Sequence, residues 1–124
     1  MSKGKKVLVV DDSATIRQQV GLALTQAGFD VLEAVDGVDG VEKIRLANDL
    51  RAVICDVNMP KKNGIELLRE VKGGGINAEV PIVMLTTEGQ AELIQEAKRA
   101  GAKGWIVKPF KANLLVAAME KLTA

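Results

Sequence analysis

Residues 52–56 read Ala-Val-Ile-Cys-Asp, an apolar run that ends in a carboxylate. Residues 7–12 repeat this pattern, because Val-Leu-Val-Val is followed by Asp11 and Asp12. Short runs that are apolar throughout are typical of strands buried on both faces of a parallel sheet. If the two strands are parallel neighbours, their three carboxylates meet at one edge of that sheet. The two runs therefore predict the kind of sheet and the place where function would gather.

The rest of the chain alternates strand-like runs with helix-like segments. Strands are predicted over 6–10, 30–34, 52–56, 81–86 and 104–107. Apolar residues three or four positions apart predict helices over about 16–27, 38–47, 64–71, 88–100 and 111–122. Strict alternation predicts an α/β fold with a parallel sheet, helices on both faces and right-handed crossovers.

The same spacing predicts details of individual helices. Ser13 is expected to cap the first helix, and Gly28 follows the end of that helix. The last two helices are expected to turn their apolar residues inward, namely Leu93, Ile94, Ala97, Leu114, Leu115, Ala118 and Leu122.

Length and composition limit the classes of function. With 124 residues, the chain is long enough for one domain, 1–124, with a core of its own. Its 17 basic and 16 acidic residues give a net charge of +1, which argues against broad binding to nucleic acid. No apolar run approaches the roughly 20 residues of a membrane span, and no secretory signal is recognisable. The single cysteine, Cys55, excludes an internal disulfide, so we expect a cytoplasmic protein without membrane or nucleic-acid partners.

The predicted acid cluster needs a counter-charge. Three carboxylates in one place raise one another's pKa unless a cation lies among them, and an all-oxygen set suits a hard ion such as Mg²⁺. The chain contains no histidine that could serve as nucleophile, base or metal ligand. A metal beside Asp56 therefore favours phosphoryl chemistry, because Mg²⁺ neutralises and positions phosphoryl oxygens.

Two further strand ends supply a hydroxyl, Thr86, and an ammonium, Lys108. Taken singly, Asp12 could cap a helix, Thr86 could belong to a turn, and Lys108 could be a solvated lysine. Taken together, these groups have complementary roles in phosphoryl transfer. Asp56 can attack phosphorus, and Asp11 and Asp12 can hold the cation with help from Asp56. Lys108 and Thr86 can stabilise the oxygens of the transferring group.

At this point the chain resembles the receiver domain of bacterial two-component signalling, most closely the stand-alone CheY-like form. The resemblance covers essentially the whole chain. It rests on Asp11-Asp12, Asp56 with Met59-Pro60 and Gly64, Thr86, and Lys108-Pro109-Phe110. It implies a flavodoxin-like (βα)5 doubly wound sheet in the strand order 2-1-3-4-5, and a cis peptide bond between Lys108 and Pro109.

The resemblance also implies a mechanism and partners. Asp56 would accept a phosphoryl group from a sensor histidine kinase or a histidine phosphotransfer protein. Mg²⁺ would be bound by Asp12, Asp56 and the carbonyl of Asn58, with Asp11 acting partly through water. The phosphorylated form, a monomer, would bind a downstream protein, for example in chemotaxis or motility. It would not be an enzyme, since it would catalyse only its own phosphorylation and dephosphorylation.

The downstream protein would bind the face built from helix four, strand five and helix five, which includes Trp105. Relatives usually have Tyr, Phe or His at that position, so Trp105 either turns inward together with Thr86 or simply lies half-buried on a seam. Asn58 and Glu88 match the chemotaxis-type pattern that favours rapid self-hydrolysis. Thr87 is bulkier than the Ala or Gly often found there and would slow that hydrolysis.

Parts of the sequence also fit other classes of protein. The chain could be a receiver from a larger regulator, although its end at the fifth helix fits a free-standing one. An aspartyl-nucleophile phosphatase would carry its two acids two residues apart on the first strand, whereas Asp11 and Asp12 are adjacent. A flavodoxin-type electron carrier would need a hydroxyl- or glycine-rich phosphate loop at that place and aromatic residues for its flavin. A purely structural module would not need the intact acid set.

Overall fold

A computed structural model describes residues 4–59, 61–75, 77–87 and 91–124. The strands are β1 Lys6–Val10, β2 Asp30–Ala34, β3 Leu50–Asp56, β4 Ile82–Thr87 and β5 Gly104–Lys108. The helices are α1 Ala14–Gln26, α2 Gly37–Leu46, α3 Gly64–Lys72, α4 Ala91–Arg99 and α5 Ala112–Leu122. Strands and helices alternate as predicted. The predicted start of the fourth helix, at residue 88, lies outside the described residues.

The five strands form one parallel sheet in the order β2-β1-β3-β4-β5. This order confirms the flavodoxin-like prediction. The register pairs Val10 with Cys55, so β1 and β3 end at the same level of the sheet. Asp56 pairs with Leu85 on the other side, one residue before Thr86. The residues that follow β1, β3, β4 and β5 are therefore gathered at one edge.

The central strands are buried on both faces because each face carries its own apolar layer. Leu8 and Val10 belong to a core cluster with residues of α2 and α3. Val7 and Val9 belong to a second cluster with residues of α1 and α5. This two-sided burial is the physical reason why β1 is apolar throughout, as the sequence pattern required.

Hydrogen-bonding caps define where three of the helices begin. The Ser13 hydroxyl accepts a hydrogen bond from the Ile16 amide, which confirms the predicted cap of α1. Asp36 caps α2 in the same way, with the amide of Asp39 as donor. Asn63 caps α3 and forms a reciprocal capping box with Glu66.

The inward faces of the last two helices differ in part from the prediction. On α4, Ala97 is fully buried, while Leu93 and Ile94 are half-buried. On α5, Leu114 is 61% exposed, so its predicted burial was wrong. The buried positions there are Leu115 and Met119, four residues apart on one face of the helix. Within the described residues, no helix is both long enough and apolar enough to cross a membrane.

Candidate functional site

Three carboxylates lie together at the carboxyl edge of the sheet, as predicted. One oxygen from each of Asp11, Asp12 and Asp56 can be chosen so that all three lie within 4.8 Å of one another. Asp11 and Asp56 are buried, whereas Asp12 is exposed. Two of the three carboxylates are therefore shielded from solvent, and the third is accessible to it.

The position of Asp11 is fixed by its neighbours along the chain. Its carboxylate accepts a hydrogen bond of 2.9 Å from the Ser13 amide. Its backbone carbonyl accepts one of 2.7 Å from the Arg17 guanidinium, which also pairs with Glu33 at 3.0 Å. Sequence analysis did not identify Arg17 as part of the site, because a lone arginine on a helix has no motif that marks it.

Lys108 brings a positive charge to the cluster from β5. Its Nζ lies 3.1 Å from Oδ1 of Asp56 and 3.4 Å from Oδ2 of Asp11. The peptide bond between Lys108 and Pro109 is cis, as the family resemblance implied. Burial lowers the pKa of Lys108, but its hydrogen bonds and attraction to the two carboxylates outweigh this effect, so the net pKa is raised. The ammonium is therefore held in its charged form.

One lysine does not neutralise the buried carboxylates. The pKa of Asp56 is raised, first by burial and then by the charge of Asp11, even though Lys108 acts in the opposite direction. The neighbouring Cys55 thiol is fully buried, and its pKa is also raised by burial and by the two acids. Cys55 is therefore an inert core residue, which agrees with the simpler interpretation of its position in β3.

Thr86 lies at the end of β4, next to the acid-bearing strand. It is fully buried, and its Oγ1 has no hydrogen-bond partner among the described residues. A buried hydroxyl without a partner is rare, because its lost hydration is not replaced. Within the described residues, the Thr86 hydroxyl is therefore a buried hydrogen-bonding group without a bond, at the sheet edge where the acids meet.

The two ends of the loop after β3 are hydrogen-bonded to each other, next to Asp56. The Gly64 amide donates a hydrogen bond of 2.9 Å to the Val57 carbonyl. A Cβ atom at Gly64 would lie 2.3 Å from the carbonyl oxygen of Asp56, so this position needs glycine. Asn58 is exposed within this loop, two residues after Asp56. Pro60 lies outside the described residues.

The sequence matches one family over almost its whole length. The model of the response regulator receiver domain matches residues 7–120. The chain belongs to the response regulator receiver family. As a member of this family, the receiver is a phosphorylation-activated switch of two-component signalling.

Curated relatives of the receiver are chemotaxis proteins. Chemotaxis protein CheY1 of Helicobacter pylori is 41% identical over 116 residues, which are 93% of this chain and 94% of that protein. A chemotaxis protein CheY homolog of Campylobacter jejuni is 40% identical over 116 residues, 93% of this chain and 89% of that protein. Both relatives are therefore matched over nearly their full length.

Solved structures agree with the receiver assignment. Chemotaxis protein CheY4 of Vibrio cholerae has a TM-score of 0.88 at 41% identity, covering 96% of this chain and 98% of that one. A putative response regulator from Chloroflexus aurantiacus has a TM-score of 0.91 at 31% identity, covering 98% of each chain.

Trp105 lies on β5 of the receiver, at the edge of the sheet. It is 39% exposed and lines a shallow groove with Pro81, Ala118 and Leu122. The neighbouring Val107 is 38% exposed, so β5 alternates between half-buried and exposed residues. In this conformation the indole is partly open to solvent. Glu88, which the family resemblance links to phosphoryl lifetime together with Asn58, lies outside the described residues.

Proposed function

We propose that Asp56 is the phosphoryl acceptor of this receiver and that the acid cluster binds Mg²⁺. The observation that carries the proposal is the contact of the buried Asp56 carboxylate with Lys108, beside two further acids. Asp56 is the last residue of the central strand β3 and contacts Lys108 more closely than Asp11 does, at the sheet edge where function gathers in parallel sheets.

The residues at the edge fit a magnesium ion. The ligand set consists of oxygen atoms alone, from Asp11, Asp12 and Asp56, and it is incompletely balanced by Lys108. Such a set is typical of Mg²⁺, which keeps some water ligands and therefore needs an open side. The exposed Asp12 is on the open side of the cluster. We expect Asp12, Asp56 and the carbonyl of Asn58 to be ligands, with Asp11 acting partly through water.

The protein groups have separate roles in the transfer. A carboxylate oxygen of Asp56 forms a bond to phosphorus as the bond between phosphorus and the imidazole nitrogen of a phosphohistidine donor breaks. The imidazole leaves with the electron pair of that bond. Lys108 and the Thr86 hydroxyl stabilise the charge on the phosphoryl oxygens. Bound Mg²⁺ would supply the remaining neutralisation of charge.

The unpartnered hydroxyl of Thr86 supports this assignment of roles. A phosphoryl group on Asp56 carries strong acceptor oxygens, and such an oxygen would give Thr86 Oγ1 the hydrogen-bond partner that it does not find among the described residues. Movement of Thr86 towards the phosphoryl group would leave space on the β5 side. We propose that this space is what couples Thr86 to Trp105 on the output face.

The partners follow from this chemistry. We propose that a sensor histidine kinase or histidine phosphotransfer protein donates the phosphoryl group in the cytoplasm. The phosphorylated monomer then binds a downstream protein through α4, β5 and α5, in a pathway related to chemotaxis. The domain extends over 1–124 and performs no turnover of an external substrate.

The decisive experiment is phosphorylation by a small phosphodonor with and without Mg²⁺. Intact-mass measurement should show one added phosphoryl group on the wild type and none on Asp56→Asn. Asp30→Asn is the matched control, because Asp30 is an exposed aspartate at the amino end of β2, whereas the acid cluster lies at the carboxyl edge of the sheet. Equal labelling of the wild type and Asp56→Asn would overturn the assignment.

Trp105 provides an optical signal for the switch. Beryllofluoride with Mg²⁺ should change the fluorescence of Trp105 in the wild type but not in Asp56→Asn. Thr86→Val should bind beryllofluoride and lose most of the change, since its side chain cannot donate a hydrogen bond. An unaltered fluorescence change in Thr86→Val would exclude the proposed coupling.

A further inference from the structure

The start of α2 touches the loop that carries Asn58, although α2 contributes no residue to the acid cluster. A Cβ atom at Gly37 would lie 2.1 Å from the carbonyl oxygen of Lys62 and 2.8 Å from its carbonyl carbon. Both atoms belong to backbone, which cannot move aside as a flexible side chain can. The first residue of α2 and the loop backbone are therefore in direct contact, at a distance that only glycine allows.

An ion pair joins the same two segments. The Asp36 carboxylate lies 3.5 Å from Nζ of Lys61, and its other oxygen caps α2 through the Asp39 amide at 2.8 Å. Lys61 has a φ of 66°, a left-handed conformation that is unusual for lysine. One carboxylate thus fixes the beginning of α2 and also the residue at which the loop turns.

A third set of contacts joins the loop to α3, and α3 to a later residue of α2. Glu70 of α3 pairs with Lys62 of the loop and lies 3.4 Å from Arg45 of α2. The loop is therefore bounded by α2 on one side and by α3 on the other. Its two ends are joined by the hydrogen bond between the Gly64 amide and the Val57 carbonyl.

We propose that Asp36 and Gly37 are positioning residues that hold Lys61 and Lys62, and with them the Asn58 end of the same loop, in the arrangement that completes the magnesium site. This role rests on the proposed function, because Asn58 lies in that loop. The Lys62 backbone is in close contact with Gly37. Because Lys62 and Asn58 belong to the same short loop, we expect a shift of the Lys62 backbone to move Asn58 as well. Asp36 and Gly37 never touch the ion, and they act only through the loop.

Gly37→Ala tests the role directly. Alanine favours helix more than glycine does, so any harm arises from the contact with Lys62 and not from helix propensity. Calorimetric titration with Mg²⁺ alone should show affinity weakened about tenfold or more, the range measured when outer-shell partners of metal ligands are removed. Unchanged affinity in the folded variant would overturn the proposal.

Gly40→Ala is the matched control on the same helix. Its Cβ would lie 2.7 Å from a side-chain methyl of Leu67 and 3.0 Å from one of Val10, so it disturbs the core without touching the loop. This variant should melt at a lower temperature than the wild type and retain Mg²⁺ affinity within about twofold. Equal weakening in both variants would show a merely structural effect and would overturn the proposal.

Asp36→Asn provides a second variant in case Gly37→Ala does not fold. Asparagine caps a helix as well as aspartate does, so the variant removes the charge that pairs with Lys61 and keeps the cap. We expect Mg²⁺ affinity to fall about threefold, on the order of the worth of one exposed ion pair. Full affinity in both Asp36→Asn and Asp36→Ala would contradict the role of Asp36.

Hydrogen exchange separates this proposal from the proposed function. In metal-free protein, the Gly64 amide should exchange faster in Gly37→Ala than in Gly40→Ala when both are compared with their core amides. Normal Gly64 exchange in Gly37→Ala would overturn the loop contact itself. If wild-type protein bound no Mg²⁺ while the exchange difference was observed, the proposed function would fail, and the link between the loop and the metal would fail with it.

Discussion

The two ends of the sheet carry charge in opposite ways. At the amino end, Lys5 and Arg51 both donate to the carbonyl of Thr123, at 2.7 and 2.8 Å. At the carboxyl end, the single ammonium of Lys108 lies against two of three clustered carboxylates. At the amino end, two cations share one neutral acceptor. The carboxyl end has more carboxylates than ammonium groups in the cluster, and this excess of negative charge attracts a cation.

A pair of buried threonines shows the same difference without any charge. Thr123 donates a hydrogen bond of 2.8 Å from its Oγ1 to the Met119 carbonyl. Thr86 has no partner for its Oγ1 among the described residues. Both side chains are buried, so the contrast does not arise from solvent. Among the described residues, the buried hydroxyl near the acid cluster therefore lacks the hydrogen bond that its counterpart at the other end makes.

The largest expected effect tests the balance of charge. Lys108→Met should lower the free energy of unfolding of metal-free protein by about 3 kcal/mol, because it leaves buried carboxylates without their cation. Added Mg²⁺ should recover a substantial part of the loss. Lys5→Met is the control at the amino end and should cost about 1 kcal/mol, the worth of one hydrogen bond, with no recovery by Mg²⁺. Equal losses, measured by urea denaturation, would mean that the two ends do not differ.

The dependence of stability on pH sharpens the comparison. The folded-state pKa of Asp56 is raised by burial and by Asp11, so its stabilising contribution is complete below the unfolded pKa and is lost as pH rises through the folded pKa. Asp36 has the opposite sign: its pKa is lowered, chiefly by the Asp39 amide, so its contribution is lost as pH falls. Comparing Asp56→Asn with the wild type isolates the first effect.

In metal-free protein, the stability of Asp56→Asn relative to the wild type should increase as pH rises from about 4 towards 7. The slope can reach at most about 1.4 kcal/mol per pH unit, the limit for one proton. Urea denaturation at several pH values provides the measurement. Mg²⁺ should reduce the difference, because a bound cation replaces the proton. A difference that is constant with pH would contradict the raised pKa.

The smallest expected effect concerns the two threonines. Thr86→Val should raise the free energy of unfolding of the unphosphorylated protein by about 1 kcal/mol, because it removes a buried hydroxyl that has no hydrogen-bond partner within the described part of the chain. Thr123→Val should lower it by a similar amount, because the hydrogen bond from Oγ1 to the Met119 carbonyl is lost and only the one from the Thr123 amide, at 3.0 Å, remains. Thermal denaturation of both variants in the same buffer checks the opposite signs. Destabilisation by both substitutions would show that Thr86 is satisfied in the folded protein.

Most of the fold could be predicted from pattern alone. The apolar run at 52–55 is typical of a strand covered on both faces, and its alternation with amphipathic segments predicts helices on each side of the sheet. The errors occur at the edges of the fold. Leu114 fits a helical pattern but is exposed, because the inward face of α5 is defined by packing of Leu115 and Met119 against the sheet.

The residues of the candidate site could be predicted where they lie at or next to the end of a strand. Asp11, Asp12, Asp56, Thr86 and Lys108 each end or follow a strand, and parallel strands bring such residues to one edge. Arg17, Asp36 and Gly37 could not be predicted in this way. Arg17 donates to the backbone carbonyl of Asp11, Gly37 lies against the backbone carbonyl of Lys62, and Asp36 pairs with the side chain of Lys61. Such contacts between distant segments follow no spacing that can be recognised in the sequence.

The sequence by itself determined the alternation of strands and helices, the chemistry of the clustered acids and the family resemblance, because these depend on residue type and spacing. Only the tertiary structure decided how the charges at the sheet edge are balanced, which buried hydroxyl has no hydrogen-bond partner among the described residues, and which helix lies against Lys62 in the loop after β3. These are properties of distances between segments far apart in the chain, and they are fixed only when the sheet and its two apolar layers pack together.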